Sequence, residues 1–359
     1  MKTKKLSEIS DIQYGYAFDS HYFTNDNKYP QLVRIRDIKR GFSETYYLGK
    51  YDEDYVVHYG DLLIGMDGNF NISRWKSEDA LLNQRVCKIA AKQDIIYEEY
   101  LQYALSRRLK HIEEKTAFVT VKHLSAKTLS NLKLEVPSQV EQIKIAQIIS
   151  KISKAINTKK DELRKLDELI KARFVEMFGD PISNNKSLSL KEFREICDLK
   201  AGDFTPAKQI FKVQDPINQY PCYGGNGIRG FVSNYTHDGK YVLIGRQGAL
   251  CGNVKLASGK FKNTEHAILV NPKIPINVFW LFELLDLEKL NRFKSGAAQP
   301  GLAVKTLNKI LIPNVDLECQ NEFANFVQQV DKSKFENIVY LNKMLLMKIL
   351  SQLGDVSRD

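Results

Sequence analysis

Ile64-Gly65-Met66-Asp67-Gly68-Asn69 returns 180 residues later as Ile244-Gly245-Arg246-Gln247-Gly248-Ala249. Lys127-Thr128-Leu129 returns at nearly the same offset as Lys305-Thr306-Leu307. A solenoid repeat runs at roughly 20 to 50 residues, so a period this long marks a duplicated domain instead. Each copy also closes in the same way. A Pro-punctuated, strand-like run leads to a glutamine (Glu141-Gln142, then Cys319-Gln320) and into a long helical pattern. A globular unit followed by a rod, stated twice, is the expected architecture, and two similar modules imply two similar targets.

Within each globular copy, short β-type runs such as Gln31-Leu32-Val33-Arg34-Ile35-Arg36 and Asp61-Leu62-Leu63-Ile64 are separated by Gly and Asp. They predict an irregular mixed sheet. A helical pattern follows over residues 96–114, with a counterpart over residues 276–293, in which Tyr100 matches Trp280, Leu101 matches Leu281 and Leu105 matches Leu285. Apolar residues at that spacing face a core. Each copy therefore reads as α+β, and its aromatic stripe as packing rather than a cofactor site.

From Ser138 the pattern changes. Ile145, Ile149, Ile152, Ile156, Leu163, Leu166 and Ile170 alternate steps of four and three, with Lys159 the single polar member, which is a coiled-coil seam. The second copy repeats it through Phe323, Val327, Val330, Leu341 and Met344, with Lys334 and Asn337 polar at equivalent places. Two helices bearing the same stripe would pack on each other. About forty residues at ~1.5 Å each make a rod of roughly 60 Å. The polar seam positions either pin register and orientation or mark the end of a seam or a docking point for a partner. Gly179-Asp180-Pro181 stops the first rod, glycine as the cap and proline as the block. The expected divisions are residues 1–137 and 179–316 for the globular domains, 138–178 for the first rod, and 317–359 for the second rod and tail.

Composition narrows the function. The 359 residues are 43% apolar, enough for two cores, and the formal charge is +10. Of that charge, +6 falls on residues 179–316, where Lys208 to Lys262 holds eight basic side chains against Asp215 and Asp238. Such a balance suits a face that meets phosphates. The charged amino terminus and the absence of a long apolar run suggest no export signal or membrane span, and five scattered cysteines without a C-x-x-C pair suit reduced thiols in a cytoplasmic protein.

Enzymatic readings find little support. The six histidines form no H-E-x-x-H spacing, and there is no G-x-S-x-G elbow or Walker A loop. Glu113-Glu114-Lys115 offers half of a nuclease-type metal pattern but sits at the end of an amphipathic helix, where a solvated charge cluster is expected. Gly225-Asn226-Gly227-Ile228-Arg229-Gly230 matches the dinucleotide fingerprint by letter. However, Phe231-Val232-Ser233-Asn234-Tyr235 continues it as strand and turn rather than as a helix. The better reading is a glycine-rich turn from which Tyr223, Asn226 and Arg229 project toward a ligand. The duplicated Ile-Gly loops carry Arg246 and Gln247 in one copy, side chains that bond two edges of guanine and adenine, and Met66 and Asp67 in the other. Identical scaffolds with different side chains would read different sequences; the competing reading is that these loops simply cover the sheet.

Two variable globular copies, each followed by a glutamine-bearing long helix, resemble the specificity subunit of type I restriction-modification systems. Phe174-Val175-Glu176-Met177-Phe178-Gly179-Asp180-Pro181 at the junction and the stretch from Lys294 to Leu302 carry the most specific likeness. The resemblance implies an α+β fold of two target recognition domains joined by two helices in an antiparallel coiled coil. Each domain would read half of an interrupted double-stranded DNA target. It implies no catalysis and no cofactor in this chain. S-adenosylmethionine would belong to partner methyltransferase subunits, two of them expected, and ATP with Mg to a restriction subunit. The family's base-reading positions vary with the target, so contacts are chosen here by chemistry and loop position. They are Arg34, Arg36, Asn69, Asn71, Arg74 and Lys122 in the first domain, and Tyr223, Asn226, Arg229, Arg246, Gln247 and Gln299 in the second. The competing classes are a stand-alone DNA-binding protein and a coiled-coil scaffold.

Overall fold

A computed structural model describes residues 2–115, 123–248, 250–296 and 300–353. The chain divides into two compact units, one of residues 1–157 with 343–359, the other of residues 158–342. Both units mix helix and sheet, as the sequence predicts, and both are built on one plan.

In the first unit, the strand Lys2–Lys5 pairs antiparallel with Lys133–Val136, so the first strand of the domain is zipped to its last. The second unit does the same with Leu190–Glu192 and Leu311–Pro313. A one-turn helix follows in each, α1 (Leu6–Ile9) in the first unit and α5 (Phe193–Ile196) in the second. The central antiparallel sheet of the first unit has the order Ser10–Tyr14, Val86–Ala91, Leu62–Gly65, Ile72–Arg74. The corresponding order in the second is Cys197–Ala201, Ala267–Pro272, His237–Gly245, Val254–Asn263, extended by the hairpin Tyr220–Gly224 and Gly227–Val232. The first unit instead adds a small five-stranded sheet around Gln31–Val33 and Ala80–Leu82.

The central strands read as unbroken apolar runs because both of their faces are covered. Leu62 and Ile64 pack with Tyr100, Leu101, Leu105 and Leu109 of α2 (Glu98–Lys115), while Leu63 turns to a second cluster with Val33, Ile38 and Trp75. The second unit repeats this alternation. Val242 and Ile244 face Trp280, Leu281, Leu284 and Leu285 of α6 (Val278–Leu287), and Leu243 faces Tyr223, Ala257 and Phe261. Tyr100 and Trp280 are buried at matching places, so the aromatic stripe is packing. The second helix is shorter than its expected span. It ends at Leu287, and Lys289, in the left-handed region at φ 48°, turns the chain into a separate 3-10 turn at Leu290–Phe293. Short helices α3 (Ala126–Ser130) and α7 (Val304–Leu307) carry the repeated Lys-Thr-Leu.

The rods are α4 (Gln139–Phe178) and α8 (Leu317–Leu353). Ser138 and Glu141 cap α4 reciprocally: the Glu141 N–H donates to Ser138 Oγ at 3.4 Å, and the Ser138 N–H donates to the Glu141 carboxylate at 3.0 Å. The Ser138 hydroxyl, which donates to the same carboxylate at 2.8 Å, and the Ser138 N–H hold the Glu141 carboxyl below its usual range. The helix stops at Gly179, whose φ of +79° suits a C-terminal cap. Within the second unit the two rods run antiparallel. The Lys159 ammonium lies 5.4 Å from the Tyr340 ring, Lys334 Nζ lies 2.8 Å from Asp167, and Phe174 meets Phe323 at 5.3 Å. The predicted seam is the line that is turned from solvent: Ile156, Ile170, Val327, Val330 and Leu341 are buried, and Leu163, Leu166, Lys334 and Asn337 are half-buried. The polar position Lys334 thus reaches across to the other helix, as a register-pinning residue would.

Candidate nucleic-acid interface

In each unit the loop after the central strand is held at one end of the sheet by the same backbone bonds. The Met66 N–H donates to Arg85 O at 2.8 Å, and Met66 O accepts from the Leu124 N–H at 2.7 Å. In the second unit Arg246 takes the place of Met66, donating to His266 O at 2.8 Å and accepting from the Leu302 N–H at 2.8 Å. Beside these lie isolated bridges, Asp67 with His123 and Gln247 with Gly301. The register therefore equates Asp67 with Gln247, Arg85 with His266, and His123 with Gly301. Gly68 and Gly248 turn the two loops with φ of +67° and +84°, where a side chain would be strained.

A second glycine pair draws another segment to the same sheet end. A Cβ on Gly15 would stand 2.1 Å from Asn83 O, and one on Gly202 would stand 2.1 Å from Asn263 O. This close approach lays Tyr16 beside Asn83, and Asp203 beside Thr264, in parallel bridges. Exposed aromatics mark both places, Tyr16 in one unit and Phe204 in the other.

The expected contact residues divide under this geometry. In the first unit Asn69 is exposed and Asn71 half-buried, both on the loop. Arg34 and Arg36 flank the root of that loop, because Ile35 between them lies against Gly65, whose Cβ would stand 3.1 Å from Ile35 Cγ2. Arg36 is exposed. Arg74 belongs elsewhere: its Nη1 donates to Glu98 at 2.8 Å and to Gly60 O at 2.9 Å, and its Nε to Gln102 at 3.2 Å. Those bonds tie the end of the sheet to α2 and commit the guanidinium to the fold. Lys122 lies outside the described residues.

In the second unit the glycine-rich stretch is a β-hairpin with Gly225-Asn226 at its turn, since Gly224 pairs with Gly227. That geometry is incompatible with a dinucleotide-binding strand and helix, as the sequence reading holds. The turn seats on the duplicated loop. A Cβ on Gly245 would stand 2.2 Å from Gly225 O, and one on Gly225 would stand 3.6 Å from Gln247 O. Asn226 is exposed, its Oδ1 accepting from Asn253 at 2.8 Å; Arg229 is exposed and Arg246 half-buried. Tyr223 is a correction. It does not project, because strand alternation sends its ring inward against Phe261 at 5.5 Å, and burial pushes its hydroxyl pKa up. Gln299 lies outside the described residues.

Residues missed from the sequence complete both ends. In the first unit Asp67 is flanked by Arg85 and His123. In the second, His266 lies 3.1 Å from Glu265, whose other carboxylate oxygen is buried without a partner among the described residues. Arg85, Glu265 and His266 trail the Ile-Gly motifs by about twenty residues, so aligning the two copies beyond their identical letters would have found them. Among the described residues no cluster of His, Cys, Asp or Glu is placed to hold a metal ion, and no helix is long and apolar enough to cross a membrane.

One α+β plan is used twice, with the same loop frame carrying different side chains and a helical rod after each copy, which marks a protein of two repeated modules. A sequence model described as the type I restriction modification DNA specificity domain matches residues 1–168 and again residues 185–344, and the chain belongs to that family. The specificity subunit of the EcoBI type I restriction enzyme from Escherichia coli is 39% identical over 166 residues, 46% of this chain and 35% of that protein. The EcoprrI specificity subunit, also from Escherichia coli, is 45% identical over 128 residues, 35% of this chain and 32% of that protein. The chain thus spans about a third of the length of these two relatives. Among solved structures, the S subunit of a type I restriction-modification system from M. genitalium shares the fold. Its TM-score is 0.60 at 16% identity, over 98% of this chain and 94% of that one.

Proposed function

We propose that this chain is a DNA-specificity subunit in which each globular copy reads one half of an interrupted double-stranded target. The observation that carries this reading is the shared frame: identical backbone bonds present Asp67, Arg85 and His123 in one copy and Gln247, His266 and Gly301 in the other. A frame held constant while its side chains change is what two different base sequences require, since base edges are distinguished by donor and acceptor pattern. The basic excess of the second copy supplies the accompanying phosphate attraction. The antiparallel rods fix the spacer between half-sites and dock methyltransferase subunits. Methyl transfer from S-adenosylmethionine belongs to those partners, ATP and Mg to a restriction subunit, and the complex works in the cytoplasm. This chain supplies address and scaffold rather than chemistry.

The test is single-molecule sequencing of modified bases in host DNA with and without this gene. Loss of adenine methylation at one interrupted motif is the expected result. An unchanged methylome sinks the reading.

A further inference from the structure

Two side chains occupy the tip positions of the duplicated loops, and in the first unit neither is available to read a base. Met66 turns into the core beneath α2. The Asp67 carboxylate is occupied on both oxygens: Oδ1 lies 2.5 Å from His123 Nδ1 and Oδ2 lies 3.5 Å from Arg85 Nε. Arg85 Nη1 also stands 3.4 Å from the same His123 Nδ1. The Arg85 guanidinium is therefore held by Asp67 at Nε and by His123 at Nη1, while its Nη2 has no partner among the described residues.

Arg85 is also held in an unusual backbone state. Its φ is 70°, which makes it one of four non-glycine residues in the left-handed region among the described residues, a conformation that costs free energy and gathers at functional sites. The strain is fixed from both sides, because Arg85 O accepts the Met66 N–H and the next residue, Val86, pairs with Gly65 in the sheet. The side chain is 54% exposed at the sheet end where the loops collect. A buttressed, outward guanidinium on a rigid strand end is the arrangement that bonds guanine O6 and N7 together.

We infer that Arg85 reads a guanine in the half-site of the first copy and that Asp67 is its positioning residue. The inference rests on the specificity function proposed above and names a reader that neither the loop motif nor the identical letters of the repeat reveal. In the second copy the place of Asp67 is taken by Gln247, whose side chain is exposed and makes no hydrogen bond among the described residues, so there the loop tip itself is free to read.

The experiment is selection from randomised duplex DNA by the full-length chain assembled with its methyltransferase subunits, for the wild type, Arg85→Ala, Arg85→Lys and Asp67→Asn. Thermal melting of each variant checks the fold. Arg85→Ala is expected to lose a guanine preference of about 10- to 100-fold at one column of one half-site, with the other half-site unchanged. Arg85→Lys should recover part of it. Asp67→Asn should flatten the same column to a lesser degree. A wild-type motif from Arg85→Ala, or equal weakening on every duplex, overturns the role of Arg85. An intact column in Asp67→Asn overturns the positioning role. No enriched motif from the wild type means that the specificity function itself fails, and the inference with it.

Discussion

Gln142 and Gln320 make the same bond at the same place in the two repeats. Gln142 Oε1 accepts the Tyr97 N–H at 2.7 Å, and Gln320 Oε1 accepts the Asn277 N–H at 2.8 Å, each joining the start of a long rod to the start of its domain's helix. Their amide nitrogens donate to carbonyls, Gln142 to Ile95 and Pro137, Gln320 to Val315. Both are buried, so the glutamine that closes each copy in the sequence locks rod to domain. Gln142→Leu strands one N–H and two carbonyls, Gln320→Leu one of each. Each should cost about 2–4 kcal/mol, with Gln142→Leu the larger loss, read as a fall in the denaturant midpoint.

The repeat, the seam and the glutamines were legible because they are local or periodic: a letter pattern at fixed spacing is enough to place them. The reading of single side chains failed where long-range packing decides. Tyr223 looks like a turn residue until strand pairing assigns its face, and Arg74 looks like a loop cation until Glu98 of α2 arrives beside it. Arg85, Asp67 and His123 are scattered over 57 positions of the chain. Only the bridge between Asp67 and His123, and the Met66 to Arg85 bond, bring them together.

Arg246 differs from Met66 in that its side chain is half-buried rather than sunk in the core. Arg246→Ala should relax one position of the second half-site by about 1–3 kcal/mol and leave the first half-site intact. Binding titrations against duplexes altered in one half-site at a time check this. Uniform weakening would make Arg246 a phosphate contact.

Glu283, on the face of α6 toward the rods, has its carboxyl pushed up to about 7. Burial is the main cause, with Asp286 and Asp167 adding to it and Lys171 and Lys334 opposing it. The folded state therefore holds a proton that the unfolded chain releases near 4.5. Its stabilising contribution is fully present below that pH and is lost as pH rises to about 7, a change of ~3 kcal/mol. Glu283→Gln should remove this slope and melt higher than the wild type at pH 8. Parallel melting curves for the two proteins across pH 5 to 8 would refute the assignment.

Burial also separates the cysteines. The Cys87 and Cys197 thiols are pushed up to about 12, and those of Cys222 and Cys251 are raised by the same cause, whereas Cys319 is exposed in the first turn of α8. Because the thiolate is the reactive form, native protein treated with iodoacetamide should carry one label, at Cys319. The other four should react only in denaturant, as peptide mass spectrometry would show.

The antiparallel layers, Lys159 with Tyr340 and Asp167 with Lys334, allow the rods to be shortened without disturbing their seam. Deleting residues 159–165 from α4 and 334–340 from α8 removes one heptad from each and brings Leu166 and Leu341 into the vacated seam positions. Seven residues at ~1.5 Å each shorten a rod by about 10 Å, and a base-pair step is ~3.4 Å. The methylated motif of the deletion variant should keep both half-sites and lose about two to three base pairs of spacer. Deleting four residues from each rod instead breaks the alternation of four and three and should cost folding or assembly. A heptad deletion that methylates the original spacer would show that the rods do not set it.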